Sequence, residues 1–64
     1  MQATATYSQI NSNEAIIEVS YPNGNFGIER VTRPRNGSLY EAAYCAAVRK
    51  AAHQGSTLDR FSKG

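Results

Sequence analysis

The sequence predicts a small α+β fold: a three-stranded antiparallel β-meander followed by one C-terminal α-helix packed on one sheet face. Three observations predict it. Residues 3–10, 15–21 and 26–32 are runs rich in β-branched and aromatic side chains, separated by polar clusters. Between the second and third runs stands Pro22-Asn23-Gly24-Asn25, and Asn-Gly is the strongest short hairpin signal a sequence carries. From Ser38 onward the chain is alanine-rich with helical spacing.

The first strand reads ATATYSQI, and Asn11-Ser12-Asn13 after it is a turn cluster that serves as a three-residue loop. That loop sets Tyr7 opposite Ile17, Ala5 opposite Val19 and Ala3 opposite Tyr21. The second strand, AIIEVSY, leads to the Asn-Gly turn. A two-residue type I′ turn centred on Asn23-Gly24 sets Tyr21 opposite Phe26, Val19 opposite Ile28 and Ile17 opposite Arg30. Both turns place Ile17, Val19 and Tyr21 on one side, so the expected apolar face is Ala3, Ala5, Tyr7, Ile17, Val19, Tyr21, Phe26 and Ile28. The other face carries Thr4, Thr6, Ser8, Glu18, Ser20 and Glu29, with Glu18 directly opposite Glu29. In this register Arg30 lies on the core-facing side at the sheet margin. The first and third strands are both open edges, and the uncharged first strand invites strand pairing.

Arg33-Pro34-Arg35-Asn36-Gly37 ends the third strand, because proline cannot extend a central ladder. Ser38 followed by Glu41 is a capping box. The helix continues to Gln54, with Gly55 as its C-terminal cap and Arg49, Lys50 and His53 in its last turns, where the dipole favours cations. At a hundred degrees per residue, Tyr40, Tyr44, Ala47, Val48 and Ala51 face the sheet. Arg49, Lys50 and His53 face away from it. The outer side also offers Ala42 and Ala46 for close approach. Residues 1–55 make one small domain and 56–64 a C-terminal tail, with Leu58 and Phe61 able to fold back onto the core.

Function classes narrow by counting. The 64 residues carry a net charge of +2, unevenly spread. Residues 1–29 hold three glutamates and no base, hence −3; residues 30–64 hold all seven bases against Glu41 and Asp59, hence +5. The asymmetry predicts an electrostatic face. His53 and Cys45 are the only residues of their kinds and sit about 12 Å apart along one helix, too far for a nucleophile–base pair. No ligand spacing for a metal is present, and no cofactor motif: Gly24-Asn25-Phe26-Gly27 lacks the lysine of a phosphate loop. The chain therefore reads as non-enzymatic, without metal or cofactor. One cysteine, no charged-then-apolar leader and no long apolar run predict a cytoplasmic protein that uses no membrane.

What remains is a small accessory or regulatory protein that docks onto a partner protein or a second copy of itself, through a strand edge, the helix or an arginine-rich surface. A core this small gains from association. The candidate contact residues are Arg30, Arg33, Arg35, Arg49, Lys50 and His53. Arginine suits the role because its planar fork binds carboxylates, phosphates and aromatic faces alike. The alternative is a nucleic-acid-binding module using Arg30, Arg33 and Arg35 with the Arg49–Lys50 helix face. Against it stand Glu18 and Glu29 on the open sheet and the separation of the bases into two patches, about 17 Å apart along the helix.

Overall fold

The computed structural model describes residues 2–63; the first and last residues of the ranges expected above lie outside them. The elements run β1 (Gln2–Gln9), β2 (Glu14–Ser20), β3 (Phe26–Thr32), α1 (Leu39–His53) and β4 (Thr57–Lys63). The fold is α+β, with one helix on a four-stranded mixed sheet of order β3-β2-β1-β4. β1, β2 and β3 form the expected antiparallel meander, and β4 adds to the far side of β1 in parallel.

The first hairpin has the expected register, with Tyr7 opposite Ile17 and Ala5 opposite Val19. Its loop is closed locally: the Ile10 amide donates to the Glu14 carbonyl at 2.9 Å, and the Asn13 amide to Asn11 Oδ1 at 2.8 Å. That second bond is an Asx turn, the reason asparagine suits the position.

The second hairpin departs from expectation by one residue. Val19 pairs with Gly27, Glu18 with Ile28, Ser20 with Phe26 and Ile16 with Arg30. The cause is the turn. No residue other than glycine has positive φ among the described residues, so Asn23 does not occupy the first central position of a type I′ turn. Instead Pro22 and Asn23 form the centre of a turn closed by the Gly24 amide on the Tyr21 carbonyl at 3.1 Å. Gly24 follows at φ +91°, and the Tyr21 amide donates to the Asn25 carbonyl at 2.9 Å. This is a three-residue loop, with proline supplying the φ that its first position needs. One residue of slip turns over every side chain of β3. Phe26, Ile28 and Arg30 are thus on the open face, while Gly27, Glu29 and Val31 face the helix. The expected juxtaposition of Glu18 and Glu29 does not occur, and Arg30 does not lie on the core side.

The helix starts at the expected Ser38 cap, with the Glu41 carboxylate on the Ser38 hydroxyl and not on the Ser38 amide that a capping box uses. The Ser38 hydroxyl oxygen accepts from the Glu41 amide at 3.0 Å and donates to the Glu41 carboxylate at 3.3 Å. It ends on Gly55 at φ +70°, with the Gly55 amide on the Ala52 carbonyl and the Ser56 amide on the Ala51 carbonyl, the two bonds of a Schellman motif. The buried face is Leu39, Ala43, Ala46, Ala47 and Ala51. That is a rotation from the expected stripe: Tyr40, Tyr44 and Val48 are on the flank and substantially exposed, and Ala46 is inside. The small alanines let the helix sit close on the sheet, and the tyrosines pack beside it with Phe61 and Tyr7.

The expected tail is β4. Leu58 pairs with Ala3 but Arg60 with Thr4, so the register shifts at Asp59. The extra residue lets Leu58 and Phe61, three apart in sequence, both pack against the core. Since β4 covers β1, β1 is an interior strand with no free edge; the edges are β3 and β4. The core consists of Ala3, Ala5 and Tyr7 from β1, Ala15, Ile17 and Val19 from β2, Val31 from β3, and the helix alanines with Leu39.

Candidate docking site

The two flanks of α1 are built from side chains of different size. On the β4 flank four aromatic rings fill the junction of helix and sheet. Phe61 meets Tyr40 at 5.2 Å and Tyr44 at 5.4 Å, both edge to face, and Tyr7 meets Tyr40 at 5.5 Å. Such pairs contribute about 0.5–1.5 kcal/mol each beyond the area they bury. On the β3 flank the sheet offers Gly27, Glu29 and Val31, and the helix offers Ala42, Ala46 and longer bases. Apart from Tyr21 at one end, no aromatic side chain among the described residues lines the gap there. A groove results, in two adjoining hollows of about 410 and 430 Å³ that share Glu29 and Arg49.

The hollow near the end of α1 is lined by Tyr21, Glu29, Arg49, Lys50, His53 and Gln54. Lys50 Nζ lies 3.7 Å from the Glu29 carboxylate. It also leans over Gly27, whose missing Cβ would stand 3.5 Å from that nitrogen and 3.3 Å from the Tyr21 hydroxyl. The other hollow continues past Ala42 and Cys45 to Arg30 and Thr32. One carboxylate thus faces three basic side chains, and Arg49 has no carboxylate partner among the described residues.

β3 forms the outer wall of this groove and is a sheet edge. Its backbone groups can be assigned by alternation. In an antiparallel ladder, bonded and non-bonded pairs alternate. Tyr21 with Asn25 and Asn13 with Arg33 are bonded pairs, the second through the Arg33 amide on the Asn13 carbonyl at 2.7 Å. Gly27, Glu29 and Val31 therefore direct their amides and carbonyls to β2. Phe26, Ile28, Arg30 and Thr32 point theirs outward, away from the sheet. The side chains of Phe26 and Ile28 are 64% and 58% exposed on the open face, beside the partly exposed Ile16. Exposed apolar groups on an unpaired edge are what a docking strand covers.

The six sequence-derived contact residues separate in three dimensions. Arg49, Lys50 and His53 come together in the groove rather than facing away from the sheet. Arg30 sits at the groove's other hollow, with its guanidinium 2.9 Å from Glu14 on the open face. That contact, after a hydrogen bond from the Asn11 side-chain amide, holds the Glu14 carboxyl below the usual carboxylate range. Arg33 is occupied elsewhere: its Nε and one terminal nitrogen both donate to the Ser12 carbonyl, at 3.0 and 2.7 Å, tying the β1–β2 loop to the end of β3. Arg35 is exposed in the loop before α1. Glu29, Tyr21 and Gly27 belong to the groove, and sequence reasoning missed them as a set. The signal that could have found them is Pro22, whose fixed φ moves the turn by one residue.

Among the described residues no group of His, Cys, Asp and Glu side chains is placed to hold a metal ion, and no helix is long and apolar enough to cross a membrane. No protein-family model matches the chain, and no curated protein or solved structure matches it.

Proposed function

We propose that the chain is a non-enzymatic docking module that takes an extended segment of a partner protein along the β3 edge, beside the groove under α1. The observation that carries the reading is the coincidence of three features along one strand edge, two on β3 and one on the helix beside it. The outward amides and carbonyls of Phe26, Ile28 and Arg30 offer a ladder. The exposed Phe26 and Ile28 side chains offer an apolar strip on one face of the added strand. Arg49 and Lys50 offer positive charge on the other face, with His53 beside them. Strand addition draws affinity from main-chain hydrogen bonds and specificity from the pockets that receive alternate side chains. The segment that fits alternates apolar and acidic residues.

A nucleic-acid partner draws less support. Arg30 and Arg33, two of the bases it relies on, are held by Glu14 and the Ser12 carbonyl, and Glu18 remains exposed on the open face. Carboxylates there repel phosphates.

The reading is tested with a short capped peptide alternating valine and glutamate, added to the labelled chain and followed by NMR. Shift changes are expected on β3 and the C-terminal half of α1, with slowed exchange of the Ile28 amide. The same peptide with lysine for glutamate should bind more weakly. Shift changes confined to the β4 edge, or none at all, would contradict the reading.

A further inference from the structure

We infer that the strand added to β3 is β3 of a second copy of this chain, antiparallel about a two-fold axis through Ile28, giving one continuous sheet with both helices on the same face. This deepens, and rests on, the strand-addition reading above.

Register selects the pairing. A two-fold pairing of β3 with itself must join outward-pointing backbone groups, which belong to Phe26, Ile28, Arg30 and Thr32. Centring it on Arg30 sets two guanidiniums opposite each other. Centring it between Ile28 and Arg30 sets Glu29 opposite the partner's Glu29. Like charges directly opposite destabilise a sheet. Centring it on Gly27 carries Glu29 and Arg30 past the start of the partner strand, which begins at Phe26. Among these, the pairing centred on Ile28 sets no like charges directly opposite each other within the strand. Ile28 then meets its own copy on the open face, and Phe26 lies opposite the partner's Arg30, a geometry that suits a cation over a ring. On the helix face, Gly27 lies opposite the partner's Glu29.

That last pairing engages the groove. A non-bonded antiparallel pair brings its Cα atoms to about 4.5 Å. Lys50 Nζ already overhangs Gly27, at 3.5 Å from where a Cβ would be. The ammonium therefore stands between its own Glu29, at 3.7 Å, and the partner's Glu29 arriving on the other side. The two-fold axis repeats the contact. The absent side chain at position 27 gives Lys50 and the incoming carboxylate room to meet, and Arg49 adds positive charge beside them. The surface is complementary to itself, as an isologous interface requires.

The test is a pair of charge reversals measured by sedimentation, each chain alone and then mixed. Glu29→Lys brings a lysine against Lys50 from both sides of the interface. Lys50→Glu brings a carboxylate against Glu29 in the same way. Each variant alone should therefore be monomeric. Mixed, both contacts between position 29 and position 50 across the axis are again between opposite charges, and an equimolar heterodimer should form. An intramolecular role for Lys50 and Glu29 cannot produce that rescue. A wild-type chain that remains monomeric, or variants that behave alike alone and mixed, would overturn the proposal. If the wild-type chain is monomeric and still takes the valine–glutamate peptide on β3, the self-pairing falls and strand addition stands. If it does neither, both fall.

Discussion

Lys50 and Glu29 face each other across the groove between α1 and β3, 3.7 Å apart, with the lysine amine lying over Gly27. Neither partner is deeply buried, so the pair contributes no more than about 1 kcal/mol to the monomer. Its weight is in placement: it holds a positive charge at a sheet edge that carries outward hydrogen-bonding groups and exposed apolar side chains.

The register of β3 is separable from its expected alternative by stability alone. Ile17 is fully buried, and Ile17→Ala should cost about 2–5 kcal/mol. That is much of the roughly 3–10 kcal/mol that a chain this size commands. Ile28→Thr should change monomer stability by only about 0.5 kcal/mol, because Ile28 is on the open face. Urea unfolding of both variants, at a protein concentration where sedimentation shows monomer, measures the difference. A comparable loss at Ile28 would return that residue to the core and contradict the pairing with Glu18.

Two arginines that look alike in sequence should behave differently. Arg33→Ala removes both guanidinium bonds to the Ser12 carbonyl and should cost about 0.5–1.5 kcal/mol. Arg35→Ala should stay within about 0.5 kcal/mol. Denaturant midpoints for the two variants decide, and equal effects would show that the Arg33 contact does not persist in solution.

The helix stop depends on Gly55 at φ +70°, where any Cβ is strained although nothing crowds it. Gly55→Ala should cost about 1 kcal/mol. The same change at Gly24, φ +91°, should cost a similar amount through the β2–β3 turn. Thermal unfolding reads both. A neutral Gly24→Ala would indicate a different turn and reopen the register of β3.

Acid should weaken the β1–β2 end of the sheet through Glu14. Its carboxyl is held low by the Asn11 amide and then by Arg30, so its folded pKa lies below its unfolded one. The stability it contributes is present above the unfolded pKa and is lost as pH falls through the folded value. Stability against pH for the wild-type chain and Glu14→Gln should therefore diverge at neutral pH and converge in acid. Parallel curves would mean that the Arg30 and Asn11 contacts do not favour the charged form.

Strands are legible in this sequence where side-chain alternation is unbroken. Ala3, Ala5 and Tyr7 against Ile17 and Val19 is a strict period of two, and the Asn11 turn keeps it in phase. β4 hides its character because the shift at Asp59 spaces Leu58 and Phe61 three apart, which breaks the alternation that marks a strand. β3 reads as a strand but with its faces exchanged, since Asn-Gly suggests a two-residue turn and Pro22 makes a three-residue one. The site divides the same way. Arg49, Lys50 and His53 group by helical spacing alone. Their partners in the groove, Glu29 and Gly27, depend on a single residue of register that local pattern does not decide. The helix face is rotated for a different reason: tyrosines carry the strongest apolar signal, yet it is the alanines that the helix buries against the sheet.

Amide hydrogen exchange along β3 at two protein concentrations tests the account most directly. Gly27, Glu29 and Val31 bond to β2 within the chain and should be protected at any dilution, whereas Phe26, Ile28 and Arg30 should be protected only where the second copy is bound. The expected result is an alternating pattern whose even positions lose protection on dilution. Even positions that exchange rapidly at both concentrations would contradict the strand-paired dimer, and uniform protection along the whole strand at high dilution would contradict the open edge itself.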